Sequence, residues 1–506
     1  QYPPQQMQAE LPYLLALPAA MGMFSLAGTK LLYAAISVAT VWILYLIGKT
    51  LGNKQVGLIA ACVAAINPWF IMIGRTSYEV IPATFFYLCA FYVLIKAKGR
   101  NILWSLPLLF LAFYSYIGTK LLFIPFVILT CSYAYYMLHK KKFLKEYITV
   151  CIASFLLVAF FLLAVKLNPA GSRMGELFTP FSSEITKQVI QSRHTTIHSP
   201  FTTVFENKFT IFGTIFAEKF FTIFSSEYLF THGDSFFGLW NHGLFYYLDA
   251  VFLVIGIVTL YQRNRKLCMF LLAAIGVSIL PHLFHKTTIT NFTPHISLLF
   301  PFFMVCIAWG IYTSILFFKT KTSFAGCVIA ILYLLSLGNF ITIYFFQYPL
   351  RDNTGFPTRV ASRYISLAQQ YNKPITVYSN SSSDMLYKYL FYSNEYTKET
   401  AQQVRQAEKS HKYTLNTIRF VSCDNTKDFS RSKEISIYDA TCGKLRRESP
   451  HRKIANLSDG GEAYRIYNDT LCQKMLLHPY PSNISLTDLQ VEKLPKTLFC
   501  QKFINQ

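Results

Sequence analysis

The chain has 506 residues, of which 53% are hydrophobic and only 14% are charged, whereas soluble domains carry about 25% charged residues. This composition excludes an ordinary soluble domain. The formal net charge of +22 could suggest a nucleic-acid partner, but the basic residues lie in short clusters between apolar runs. Such clusters are typical of cytoplasmic loops, so we expect a membrane protein that binds no nucleic acid.

The first residue is Gln1, and no secretory signal pattern follows it. We interpret residues 1–29 as the remnant of a first outer loop with a juxtamembrane helix. Segment 11–28 is apolar but is interrupted by Pro12 and Pro18, which favours a surface helix over a span. On this interpretation the chain is N-terminally truncated.

Residues 30–345 contain the apolar runs that a transmembrane domain requires. Since a spanning helix needs about 20 apolar residues, they predict about ten spans. The predicted spans are 30–48, 55–73, 79–95, 102–117, 121–138, 147–166, 247–262, 267–284, 297–318 and 323–345. A long Phe-rich outer loop, 167–246, separates the sixth span from the seventh, and its stretch from Phe209 to Phe224 favours an interfacial amphipathic helix.

Basic residues set the expected orientation, because cytoplasmic loops are enriched in Lys and Arg. Fourteen of them lie in alternate loops, whereas the opposite loops carry far fewer. The fourteen are Lys49, Lys54, Lys96, Lys98, Arg100, Lys140, Lys141, Lys142, Lys145, Arg263, Arg265, Lys266, Lys319 and Lys321. The pattern predicts a multi-pass protein of the cell (plasma or inner) membrane with its C-terminal domain on the extracytoplasmic side.

Residues 346–506 are polar and are predicted to form a small α/β domain. Strands are expected at Ile375–Tyr378, Ile418–Ser422, Ile435–Tyr438 and Ala463–Tyr467, with a helix at Arg359–Tyr371. The fold class is therefore an α-helical polytopic membrane bundle with a small α/β extracytoplasmic domain. The tail holds four of the eleven cysteines, Cys423, Cys442, Cys472 and Cys500, which predict two disulfides with all three pairings open.

Ionisable residues near the predicted outer membrane face are the candidate site. Arg75 and Glu79 lie in the turn after Asn67-Pro68-Trp69. An Arg there can hold a phosphate through paired hydrogen bonds, and a carboxylate can orient or deprotonate an acceptor. The alternative is an interfacial ion pair that only anchors helices.

Three further outer clusters accompany this turn. Their candidate substrate-binding residues are Tyr114, Tyr116, Lys120, Lys208, Asp234 and His295. For Lys120 the alternative is a lysine snorkelling through an aromatic belt. His282 and His285 lie near His295, but the spacing is irregular and lacks an adjacent carboxylate, so we expect no metal site.

In order and in predicted membrane side, these motifs resemble the GT-C glycosyltransferase superfamily over residues 11–348. The likeness is to its dolichyl-phosphate-mannose protein mannosyltransferase-like branch, which includes the aminoarabinose transferases. Two departures are that Lys120 stands where the family has Arg, and that Ile296 and Ser297 follow His295 where Arg is usual. The family's catalytic acid lies in the first outer loop. Glu10 does not match its motif, so we expect that base to lie upstream of Gln1.

The resemblance implies an inverting transferase that moves a hexose or pentose from a polyprenyl-phosphate sugar to a protein, lipid or glycan acceptor. Arg75 and Glu79 would be catalytic, and no cofactor beyond the lipid-linked donor is implied. Two alternatives stay open: a lipid or polysaccharide transporter, and a non-catalytic membrane scaffold. Transporters often show internal repeats and broken helices near mid-membrane, and the sequence shows no such repeat.

Overall fold

A computed structural model describes residues 26–138, 141–167, 181–197, 199, 201–234, 237–239, 242–285, 292–350, 355–423, 434–442, 450–472 and 484–504. Nearly all of the predicted N-terminal remnant, 1–29, lies outside these residues. The chain divides into two compact units, Gln1–Phe340 and Ile341–Gln506.

The first unit is helical in the part that the structure describes. Its helices are α1 (Leu26–Leu51), α2 (Lys54–Ile66), α3 (Pro68–Gly74), α4 (Val80–Lys96), α5 (Ser105–Ser115), α6 (Lys120–Ser132), α7 (Leu144–Leu167), α8 (Ser183–Thr195), α9 (Thr202–Phe205), α10 (Lys208–Ile223), α11 (Tyr247–Arg263), α12 (Arg265–Ser278), α13 (Leu280–Leu283), α14 (Leu299–Phe317) and α15 (Thr322–Thr342). Short 3-10 and π segments extend several of them, as at Gly99–Trp104, Ile117–Thr119, Tyr133–Met137, Glu227–Thr231 and Thr293–Ile296.

Within the residues that the structure describes, six helical stretches are long and apolar enough to cross a membrane, which fits a membrane protein. Helices occupy all ten predicted positions, but some of them are too short or too strongly bent to qualify as membrane spans by length and composition. The α2–α3 pair is one example, bent by 59°, because Asn67 caps the second helix and Pro68 begins it. Helix α4 is apolar but has only 17 residues.

Helices α11 and α14 approach each other through glycine. A Cβ placed on Gly256 would lie 1.9 Å from the carbonyl oxygen of Cys306, and one on Gly310 would lie 1.9 Å from that of Phe252. Small residues let helix backbones meet at such distances, a common means of helix association in membranes. These two glycines therefore define how closely α11 packs on α14.

The second unit contains a six-stranded sheet in the order β2-β3-β1-β4-β6-β5. Its strands are β1 (Ile375–Ser379), β2 (Tyr413–Leu415), β3 (Ile418–Ser422), β4 (Ile435–Asp439), β5 (Arg452–Ala455) and β6 (Glu462–Tyr467), and its helices are α16 (Phe356–Gln370), α17 (Ser382–Ser393), α18 (Lys398–Ser410) and α19 (Lys496–Phe503). The central strands β3, β1 and β4 are parallel, with Ile375 opposite Ile418 and Ile435. The four predicted strands and the predicted helix are present; β2, β5, α17, α18 and α19 were not predicted.

The core of this unit lies between the sheet and its helices. Tyr364, Val377, Tyr389 and Ile437 are fully buried in one apolar cluster. Within that cluster, Tyr364 donates a 2.6 Å hydrogen bond to the buried carboxylate of Asp469. The structure pairs Cys423 with Cys442 and Cys472 with Cys500.

Loss of the Cys472–Cys500 disulfide should destabilise the second unit. The bond closes a loop with a sequence separation of 28, and chain entropy gives such a bond about 3 kcal/mol of stabilisation. We expect the Cys472→Ser, Cys500→Ser double variant to unfold at lower denaturant concentration, measured by near-ultraviolet circular dichroism. Cys327→Ser, at an exposed cysteine of α15, is the control. An unchanged unfolding midpoint in the double variant contradicts the prediction.

Candidate functional site

The turn that carries Arg75 and Glu79 is anchored through Asn67. This buried side chain accepts a hydrogen bond from the Phe70 amide and donates one of 3.1 Å to the Leu244 carbonyl oxygen. Tyr246 adds a 2.7 Å bond from its hydroxyl to the Ile66 carbonyl oxygen. The α2–α3 break is thus fixed to the last part of the long outer loop.

Arg75 follows α3 and Glu79 precedes α4, and both side chains are half-buried. Between them lies Tyr78, whose ring centroid is 5.7 Å from that of Tyr116 and 4.9 Å from that of Phe237. One tyrosine therefore brings the predicted catalytic turn against two other predicted clusters, the turn after α5 and the long outer loop.

Tyr116 continues this chain of contacts to His295, with ring centroids 6.1 Å apart. The approach depends on Gly118, where an added Cβ would lie 2.5 Å from the Tyr116 ring and 2.7 Å from the His295 ring. A side chain at this position would separate the two rings. Gly118 therefore allows the turn after α5 to meet the segment before α14.

Asp234 ties the long outer loop to that same segment. One carboxylate oxygen of this buried residue accepts bonds from both the amide and the hydroxyl of Thr293, each 2.6 Å long. Its other oxygen accepts a 3.1 Å bond from the Phe237 amide. Since Thr293 begins the short 3-10 turn that carries His295, Asp234 holds the turn on which this histidine lies.

Three basic side chains surround His295, and together with it they form what we call the basic cluster: Lys219, His282, His285 and His295. The ring of His295 lies 4.3 Å from that of His285 and 6.4 Å from that of His282, measured between centroids. Lys219 Nζ donates a 2.5 Å bond to the His285 carbonyl oxygen. Burial, followed by the charges of His285, His282 and Lys219, holds the pKa of His295 well below its usual range.

Lys219 is the member of this cluster that the sequence analysis did not identify. It is only 3% exposed, although it lies in a helix that was expected to rest at the interface. In the sequence, Lys219 lies between Phe216 and Phe220 on α10. This pattern indicates that the lysine lies on the apolar face of the helix. The predicted Lys208 lies eleven residues earlier, or about 16 Å along the same helix, and so away from Lys219.

Lys120 has an aromatic environment. Its ammonium lies 4.7 Å from the ring centroid of Phe113, 5.3 Å from that of Tyr114 and 5.0 Å from that of Phe161. It also donates a 2.9 Å bond to the Phe113 carbonyl oxygen near the end of α5. These contacts are those of the aromatic-belt alternative, and they place Tyr114 beside Lys120.

Replacing Lys219 should raise stability near neutral pH. Burial lowers its pKa from 10.5 to about 8, so between these values the unfolded chain binds a proton that the folded chain has released. The resulting penalty is about 3 kcal/mol below pH 8 and is lost as the pH rises towards 10.5. We expect Lys219→Met to melt above the parent protein at pH 7.

The corresponding measurement is thermal unfolding in detergent at pH 7 and pH 10. The gain in melting temperature should shrink at the higher pH, because there the parent protein no longer holds the charged lysine. Lys208→Met, on the same helix, controls for loss of a lysine. A lower melting temperature for Lys219→Met at pH 7 would contradict this account of the buried ammonium.

Among the described residues, no group of three or more His, Cys, Asp and Glu side chains is arranged to hold a metal ion. The arrangement is a largely buried basic cluster that Tyr116 and Tyr78 link to the Arg75–Glu79 turn. Basic side chains gathered in this way can bind an anion. No protein-family model matches the chain. A comparison with curated proteins gives no significant match either.

Proposed function

We propose that this protein is a membrane glycosyltransferase that moves a sugar from a polyprenyl-phosphate donor to an acceptor hydroxyl. The observation that carries the proposal is the chain of ring contacts from Tyr78, in the Arg75–Glu79 turn, through Tyr116 to His295, which lies beside the buried Lys219. A phosphate needs several cationic or hydrogen-bonding groups, whereas a structural ion pair needs only one partner.

In this proposal the acceptor hydroxyl transfers its proton to the Glu79 carboxylate and attacks the anomeric carbon. The bond from that carbon to the phosphate oxygen breaks, and the sugar inverts its configuration. The basic cluster and Arg75 stabilise the negative charge that develops on the departing phosphate. Glu79 orients the acceptor. Asp234 contributes by holding the 3-10 turn of His295, so we assign it a positioning role.

The membrane side is also part of the proposal. Basic residues in the loops opposite the site, such as Lys49, Lys96 and Arg263, favour a cytoplasmic location for those loops. The basic cluster, the Arg75–Glu79 turn and the C-terminal unit would then face the extracytoplasmic side. Cysteine scanning with a membrane-impermeant maleimide at Thr231 and at Lys98 tests this, because only the former should react in intact cells.

The function is tested by a transfer assay. The protein, purified in detergent, is given radiolabelled polyprenyl-phosphate sugars and a mixed acceptor extract. We expect sugar transfer that Arg75→Ala and Glu79→Gln each abolish, while Arg193→Ala, at an exposed arginine of α8, retains it. If the folded parent protein consumes no donor with any common sugar, the proposal fails and a transporter or scaffold becomes the better account.

A further inference from the structure

The last apolar helix of the membrane region is longer than a bilayer requires. It begins at Lys319 and runs for 32 residues to Leu350, which is about 48 Å of helix against a hydrocarbon core of about 30 Å. Lys319 and Lys321 mark its polar start. The final turns, which carry Phe345 and Phe346, therefore reach the boundary between acyl chains and headgroups.

An exposed apolar surface follows this helix to its end. Phe324, Ile331 and Leu335 are 70%, 55% and 67% exposed, and Phe345 and Phe346 are 48% and 61% exposed. The first three recur at intervals of seven and four residues, which places them on one helix face. In a spanning helix such a face is covered by lipid, and here it leads directly to the two phenylalanines.

A groove opens at this end of the helix, within the second unit. It has a volume of about 480 Å³ and lies between the Phe345–Leu350 turns and the segment 484–489, which contributes Ile484, Leu486 and Leu489. Leu486 is 47% exposed although it is a large apolar side chain. None of the described residues that line the groove carries an ionisable group, and its apolar walls suit a hydrocarbon chain.

We propose that this groove takes an acyl chain of a bilayer phospholipid, so that segment 484–489 lies in the acyl boundary of the membrane. The groove adjoins the last turns of the 319–350 helix and continues its exposed apolar face. Lipid covers such a face in a spanning helix. Exposed apolar side chains are transferred favourably from water into acyl chains. The inference does not depend on the proposed transferase activity.

The test places a tryptophan at Leu486 and a control tryptophan at Tyr387. Both positions have similar exposure, 47% and 44%, and both lie in the second unit. The purified variants are reconstituted into phosphatidylcholine vesicles with or without brominated acyl chains, and the emission of the unsubstituted protein is subtracted. We expect bromolipids to quench Leu486→Trp at least about twofold more than Tyr387→Trp, because interfacial residues lie about 5–10 Å into the acyl boundary.

Acrylamide, a water-soluble quencher, should give the opposite order. Equal bromolipid quenching at the two positions, or stronger acrylamide quenching at Leu486, overturns the proposal. A second measurement uses the unsubstituted protein with a phosphatidylcholine that carries a diazirine in its acyl chain. Crosslinks at 484–489 are expected, and crosslinks confined to the spanning helices overturn the proposal even if the tryptophan variants do not fold.

Discussion

Gly310→Ala should prevent the first unit from folding to a stable, monodisperse state. The added Cβ would lie 1.9 Å from the carbonyl oxygen of Phe252, a backbone atom of the facing helix. No side-chain rotation relieves such a contact, so α11 and α14 must separate by more than about 1 Å and lose packing along their crossing. Overpacking of this kind costs about 3 kcal/mol or more.

The matched control is Gly276→Ala. Gly276 lies inside helix α12, and an added Cβ there meets no atom of the described residues within 4 Å. Alanine is the better helix former by about 1 kcal/mol, so this variant should be neutral or slightly stabilised. Thermal unfolding followed by size-exclusion chromatography in detergent compares the two. If Gly310→Ala elutes and melts like Gly276→Ala, the close crossing of α11 and α14 is not what holds these helices together.

These two glycines show what the sequence could and could not predict about the bundle. Apolar runs of sufficient length locate helices, because a helix is a local structure whose signal lies within about 20 residues. They do not say which glycine faces another backbone, since Gly256, Gly276 and Gly310 all sit in similar apolar surroundings. That distinction depends on which helices cross, a long-range property that no local periodicity encodes.

The same limit applies to the second unit. Parallel strands β1, β3 and β4 were predictable because buried strands read as short apolar runs. Strand β2 has only three residues, and β5 contains Arg452 and Lys453, so both resemble loops. The disulfide pairing likewise needed the sheet order, since Cys423 follows β3 and Cys442 follows β4, strands that flank β1 on either side.

The charged residues of the candidate site can be identified from the sequence. Their roles, however, were predicted from their charge alone. Arg75 and Glu79 were recognisable because they stand in a turn between apolar runs. Lys219 was missed because Phe residues surround it, and Lys120 was grouped with the site although three aromatic rings surround its ammonium. The direction in which a long basic side chain extends is decided by its tertiary neighbours, so charge and spacing cannot settle it.

Asp234→Asn should release the turn that carries His295 from the long outer loop. We expect the proposed sugar transfer to fall by about 100-fold, the loss that a displacement of about 1 Å can cause in a catalytic arrangement. The parent carboxylate accepts two bonds from Thr293 through one oxygen. An amide can offer only one accepting oxygen, so either Thr293 or the Phe237 amide then faces an NH₂ group. We expect this loss because His295 is displaced: Asp234 binds Thr293, the first residue of the 3-10 turn on which His295 lies.

A readout independent of activity separates this positioning role from a direct one. Hydrogen exchange of the amides in the 292–299 segment should accelerate in Asp234→Asn, since the Thr293 amide loses its charge-assisted bond. Thr293→Ser keeps both donors and should behave like the parent protein, whereas Thr293→Val removes the hydroxyl and should fall between the two. Unchanged exchange combined with lost transfer would show that the Asp234 carboxylate acts on the substrate directly, and the positioning role would be wrong.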